Sequence, residues 1–141
     1  MTYLDLNTVP TNKLQQQLSR HHTIVACLCA AWCDVCTTYR PKFEVFAEHH
    51  PEHLFLWIDV EDQAELVGDF DVANFPTLLI QQHGIVTFFG PMQSDTKQLN
   101  RLLQSQANQT VEQLQKQNAA SEQQRLWQSQ ANLLQRLVQI T

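Results

Sequence analysis

Two segments are apolar without alternation: residues 23–30 (TIVACLCA) and residues 54–59 (LFLWID). Such runs are the mark of strands covered on both faces. Between them lies a helix-compatible stretch ending near His49. Phe43, Val45, Phe46 and Ala47 continue its apolar face beyond Pro41, so the proline is expected to kink this helix rather than end it. Tyr3, Leu4 and Leu6 predict a short first strand, and Pro10 or Thr11 opens a helix carrying Leu14 and Leu18. Further on, residues 63–70 predict a short helix, and residues 77–82 and 85–89, joined at His83-Gly84, predict a β-hairpin. Ser94 is placed to cap a helix bearing Leu99, Leu102 and Leu103. The order βαβαβαββα predicts an α/β fold, a mixed central sheet with helices on both faces.

The pattern changes near Gln104. From there glutamine makes up about a third of the residues, and neither Gly nor Pro interrupts. Val111, Leu114, Leu126, Ala131, Leu133, Leu134, Leu137, Val138 and Ile140 fall in i, i+3, i+4 groups, which predicts one or two amphipathic helices. Thr110-x-x-Gln113 and Ser121-x-x-Gln124 have the form of capping boxes and mark helix starts. The expected organisation is therefore a domain over residues 1–107 and a Gln-rich amphipathic helical extension over 108–141. The extension either folds back on its own domain or offers a surface to a second copy or another partner.

At 141 residues with 43% apolar content, the chain can build a core without disulfide scaffolding. A net charge of −5 and the lack of a basic block or stripe argue against nucleic-acid and membrane-surface roles. Residues 1–10 lack a basic stretch followed by an apolar core, and no apolar run reaches the ~18 residues of a spanning helix, so a cytoplasmic setting is expected. All four cysteines fall between residues 27 and 36, too close together to tie distant elements. Their clustering points to local chemistry.

That chemistry centres on Trp32-Cys33-Asp34-Val35-Cys36, where the first buried strand passes into a helix. Cysteines separated by two residues across such a turn can close a disulfide, and the first thiol sits over unpaired backbone amides that favour a thiolate. Spacing alone would also suit half of a zinc site. Three separated markers decide between these readings: Ala31-Trp32-Cys33-x-x-Cys36, Pro41 within the following helix, and Phe75-Pro76-Thr77-Leu78-Leu79. In this order, with Gly84 and Gly90 at turn positions, they resemble the thioredoxin family over residues 3–107.

The resemblance implies a thioredoxin fold and a thiol–disulfide oxidoreductase that reduces protein disulfides. Cys33 would be the exposed nucleophile and Cys36 the buried resolving thiol. Trp32, Phe75 and Pro76 would bind substrate, with Pro76 in a cis bond and the Phe75 peptide group pairing with an extended segment. No cofactor and no metal are implied, so electrons would come from an external reductase. The partners are disulfide-containing proteins.

Departures from the family surround the site. Asp34-Val35 replaces the usual Gly-Pro, placing a carboxylate beside Cys33 and freeing the turn. Cys27 stands where thioredoxins bury an aspartate, and Trp57 lies near the position of its accompanying lysine, as though one ionic pair had become an apolar patch. Asp34, Val35 and Cys27 are thus expected to tune the dithiol. Cys29 replaces a common aromatic residue. Cys27 and Cys29 share one strand face, and they are either small buried hydrophobes or, for Cys27, an auxiliary thiol close to Cys36. A four-cysteine zinc site is disfavoured because a central strand cannot readily turn two ligands toward a tetrahedral centre. The six histidines and the acids Asp59, Glu61, Asp62, Asp69 and Asp71 read as solvated surface. Against the enzyme stands a second reading, a binding or chaperone-like module that uses its helical tail, with weak or regulatory redox activity.

Overall fold

A computed structural model describes residues 3–67, 72, 74–93 and 95–140, the last four by backbone alone. Its elements are β1 (Tyr3–Asp5), α1 (Thr11–Arg20), β2 (Thr23–Cys29), α2 (Asp34–Glu48), β3 (Leu54–Asp59), α3 (Ala64–Val67), β4 (Thr77–Gln82), β5 (Ile85–Pro91) and α4 (Lys97–Gln106). The tail adds α5 (Val111–Ala120), α6 (Glu122–Gln130) and α7 (Leu133–Ile140). The sheet runs β1-β3-β2-β4-β5, with β3 parallel to β1 and β2, and β4 antiparallel to β2 and β5.

β2 is the middle strand and every residue in it is buried. Its side chains alternate between two cores. Ile24, Ala26 and Leu28 join Leu14 and Leu18 of α1, Leu54 and Leu56 of β3, and Leu66 of α3. Val25, Cys27 and Cys29 face the other way, toward Cys36, Tyr39 and Phe43 of α2 and Leu99 and Leu103 of α4. Continuous apolarity is what a strand needs when helices cover both its faces. α2 runs unbroken through Pro41, whose missing donor it accommodates within the helix. At the β4–β5 turn His83 and Gly84 both take positive φ, 51° and 79°, the pairing that two-residue hairpins favour.

Some boundaries differ from expectation. α3 begins at Ala64, and the remainder of its expected span, like Ser94, Asp69 and Asp71, lies outside the described residues. α4 starts after Thr96, with the Asp95 carboxylate accepting from the Lys97 amide. The tail forms three helices where one or two were expected. Thr110 and Gln113 make the reciprocal capping box and Ser121 accepts from the Gln124 amide, as the motifs predicted. The additional break falls at Asn132, whose side chain accepts from the Gln135 amide and so starts α7.

The tail folds back on the sheet, and its amides explain its composition. β5 is an edge strand, and an open edge leaves a row of unpaired backbone groups. Gln128 closes part of it: its Oε1 accepts from the Val86 amide and its Nε2 donates to the Val86 carbonyl, both at 2.8 Å. Gln106 of α4 accepts from the Thr87 hydroxyl at 3.1 Å where the β4–β5 register shifts. Deeper, the fully buried Gln81 donates to Asn132 Oδ1 at 2.8 Å and accepts from the Leu133 amide at 3.0 Å. Asn132 Nδ2 completes the group on the Gly84 carbonyl. Arg136 then reaches the carbonyls of Glu65 and Leu66, fixing α7 against α3.

Two expectations follow. Asn132→Ala removes the partner of a buried amide donor together with a helix cap, and should cost about 2 kcal/mol in urea unfolding. An unchanged midpoint would show that the tail is not anchored there. Burial pushes the Cys27 thiol well above its ordinary range, so the folded chain keeps it protonated while the unfolded chain ionises it near pH 8.5. Stability should therefore be retained below that pH and fall by about 1 kcal/mol between pH 7 and 9. Cys27→Ala should flatten this slope, as read from urea midpoints at both pH values.

Candidate functional site

The strand β2 ends at Cys29, and Ala30 accepts from the Cys33 amide at 3.1 Å, closing a tight turn into α2. Cys33 is the N-cap residue of that helix, its carbonyl receiving the Thr37 amide and hydroxyl. Its side chain makes no capping hydrogen bond, and it is partly exposed at the positive end of the helix. Asp34 and Val35 occupy the first turn and both face solvent. An acid in that turn complements the helix dipole.

Trp32 stands out from the surface, 68% exposed, with its indole N–H donating to Glu61. Its ring meets Phe75 edge-to-face at 5.7 Å between centroids. Phe75 and Cys33 both pack onto the α2-side core, and the Phe75–Pro76 peptide bond is cis. Pro76 is buried, and its carbonyl accepts from the Met92 amide at 3.1 Å, joining the loop before β4 to the end of β5. Of the residues read as substrate-binding in the sequence, Trp32 and Phe75 thus lie at the surface by the Cys33 turn, while Pro76 is buried.

The cysteine pairing departs from the expected Cys33–Cys36 bond. Cys36 is joined to Cys29, with 5.8 Å between their Cα atoms, and Cys33 is a free thiol. Periodicity accounts for this. Cys29 lies on the β2 face that looks at α2, and Cys36 lies on the α2 face that looks at β2, so both point into one core. Cys27, read as a small buried hydrophobe or as an auxiliary thiol close to Cys36, is a buried free thiol in no disulfide; its sulfur lies 3.7 Å from that of Cys29. In the sequence Cys29 reads as a small buried hydrophobe, so its bond to Cys36 was not expected. The signal that could have singled it out was its place at the end of the strand, one turn below the helix start.

The missing buried acid and lysine leave a rearranged polar group. A cavity of about 320 Å³ beside the disulfide is lined by Cys36, Thr37, Arg40, Trp57, Asp59 and Asp62, among others. Arg40 of α2 lies over the Trp57 ring at 5.2 Å and bonds Asp5 of β1 at 2.6 Å and Glu44 at 3.2 Å. Asp59, read as solvated surface, is buried, and its carboxylate holds the amides of Glu61 and Asp62. The histidines are also less free than expected. His22 stacks on His83, while His50 and His53 stack face to face and share Glu52, all at the end of the sheet away from Cys33. Burial lowers the His53 pKa, against the raising effect of the Glu52 carboxylate.

No helix among the described residues is long and apolar enough to cross a membrane. Comparison with known proteins gives a consistent result. The thioredoxin family model matches residues 6–105. The thioredoxin of Mycoplasmoides gallisepticum is 32% identical over 76 residues, covering 52% of this chain and 76% of that protein. A protein disulfide-isomerase of Datisca glomerata is 28% identical over 97 residues, covering 62% of this chain and 19% of that one. The chain spans about half the length of the first curated relatives that it matches. Among solved structures, Fasciola hepatica thioredoxin superposes with a TM-score of 0.60 at 21% identity, covering 74% of this chain and 98% of that one. Trypanosoma brucei brucei thioredoxin gives 0.62 at 22% identity, with 76% and 92% covered. With the family model spanning strands β2 to β5, the cysteine turn and the cis-proline loop, this chain belongs to the thioredoxin family.

Proposed function

We propose that the protein is a thiol–disulfide oxidoreductase that reduces disulfides in protein clients, with Cys33 as nucleophile and Cys36 as resolving thiol. The observation that carries the reading is the placement of a free, partly exposed thiol at the N-terminus of α2, beside Trp32 and the Phe75–Pro76 loop. Cys33 stands where a client disulfide can reach it, and thiolates are the attacking species in disulfide exchange. Trp32 and Phe75 form an apolar surface against which a client segment can lie, and the Phe75 peptide group can pair with an extended client segment. Electrons come from an external reductase, and a reducing cytoplasmic setting suits this direction of flow.

The competing role, partner recognition or dimer formation by the tail, has less support. Leu114, Ala131 and Leu133 are already buried within the chain. The tail nevertheless comes near the proposed client surface. Leu126, Trp127 and Gln130 of α6 line a cavity of about 290 Å³ with Asn74 and Thr77, which flank the Phe75–Pro76 pair, so α6 contributes to client choice rather than to a separate function.

The test is reduction of insulin disulfides with dithiothreitol as electron source. The wild-type protein should accelerate it, Cys33→Ser should lower the catalysed rate at least about a hundredfold, and Trp32→Ala should act mainly by raising KM. An inactive wild type, or a Cys33→Ser variant with full activity, would defeat the reading.

A further inference from the structure

We propose that Cys29 is a third working thiol: oxidation by a client disulfide ends on a buried Cys29–Cys36 bond, which returns Cys33 to the surface as a free thiol. The inference rests on the function just proposed. Three observations support it. The bonded pair is Cys29–Cys36, not Cys33–Cys36. Both bonded residues are buried, whereas Cys33 is partly exposed. Cys33 and Cys36 bracket the first turn of α2, a spacing that makes them neighbours, so the Cys36 sulfur has one partner above it and one below.

The steps balance without an added oxidant. In the fully reduced protein the Cys33 thiolate attacks a client disulfide, forming a mixed disulfide and releasing one client thiolate. The Cys36 thiolate attacks the Cys33 sulfur, and the second client thiolate leaves. The Cys29 thiolate then attacks the Cys36 sulfur: the Cys29–Cys36 bond forms, the Cys33–Cys36 bond breaks, and Cys33 departs as a thiolate. Two electrons have passed to the client, and the protons given up by Cys29 and Cys36 balance the two client thiols formed. The last step is an internal exchange between sulfurs that packing already holds in one core. Cys27 stays outside this sequence as a buried free thiol.

The arrangement makes Cys33 the gate in both directions. An outside dithiol cannot reach sulfurs on buried residues, so reduction must begin with the Cys33 thiolate attacking Cys36, which moves the bond outward to Cys33. The oxidised protein therefore keeps an exposed nucleophile, unlike a dithiol whose only reactive sulfur is consumed on oxidation.

The full-length reduced protein is reacted with insulin below one equivalent, acid-quenched, alkylated and mapped by mass spectrometry. Wild type should show Cys29 linked to Cys36 and Cys33 alkylated, and Cys29→Ala should show Cys33 linked to Cys36 with Cys33 unlabelled. Insulin reduced with wild type ending on Cys33–Cys36 would overturn the relay and leave the oxidoreductase reading intact; insulin not reduced would overturn both. The wild-type map needs no variant to fold. As a second measurement, diamide-oxidised Cys33→Ser should be reduced by dithiothreitol at least about tenfold more slowly than oxidised wild type. Equal rates would overturn the gating role.

Discussion

A central strand buried on both faces permits no choice about which way its side chains point. Successive residues of β2 face opposite cores, so Cys27 and Cys29 must look toward α2 while Ala26 and Leu28 look toward α1. A register slip of one residue would exchange the two sets and put both sulfurs on the wrong side of the sheet. Pairing with β3 and β4 over nearly the whole strand prevents it: Cys27 lies between Trp57 and Leu78, and Cys29 lies beside Asp59. The position of the site follows from this alignment. The strand ends at Cys29, the chain turns, and α2 begins with Cys33 outside and Cys36 inside.

The second constraint is the open edge at β5. Here the chain uses amide side chains in place of another strand. Gln128 bonds the backbone of Val86, Gln106 bonds the hydroxyl and carbonyl of Thr87, and Gln81 with Asn132 joins the inside of the sheet to the start of α7. Glutamine suits this work because one side chain presents both a donor and an acceptor, matching the two groups of a single residue such as Val86. A tail rich in glutamine is thus one that can satisfy an exposed strand edge. It does so without adding charge, and it buries Leu114, Ala131 and Leu133 as it closes.

Much of this was legible in the sequence because the responsible forces act locally. Uninterrupted apolar runs marked β2 and β3, His83-Gly84 marked the hairpin, and Thr110 and Ser121 marked two helix starts. What escaped depends on contacts distant along the chain. Asn132-x-x-Gln135 has the local form of a helix start, but the contacts that anchor it, to Gln81 and Gly84, come from about fifty residues earlier. Arg40 belongs to no sequence motif, and it is the packing of α2 that brings it onto Trp57 and Asp5. The Cys29–Cys36 bond escaped for a similar reason. The strand and helix periods each place one sulfur correctly, but only the crossing of the two elements makes them partners.

Replacing a buried carboxylate by a thiol changes the electrostatics under the site. A buried acid can exchange a proton with a neighbouring cysteine, but it carries a desolvation cost that needs a partner to offset it. Cys27 carries no such cost while it stays protonated, and burial keeps it so. Trp57 sits in the apolar strand β3, and Arg40, supported by Asp5 and Glu44, lies across its ring at the cavity wall. The charged side chains Arg40, Asp59 and Asp62 line the cavity beside Cys36. In the core where the sulfurs meet, proximity and packing determine which cysteine bonds to Cys36.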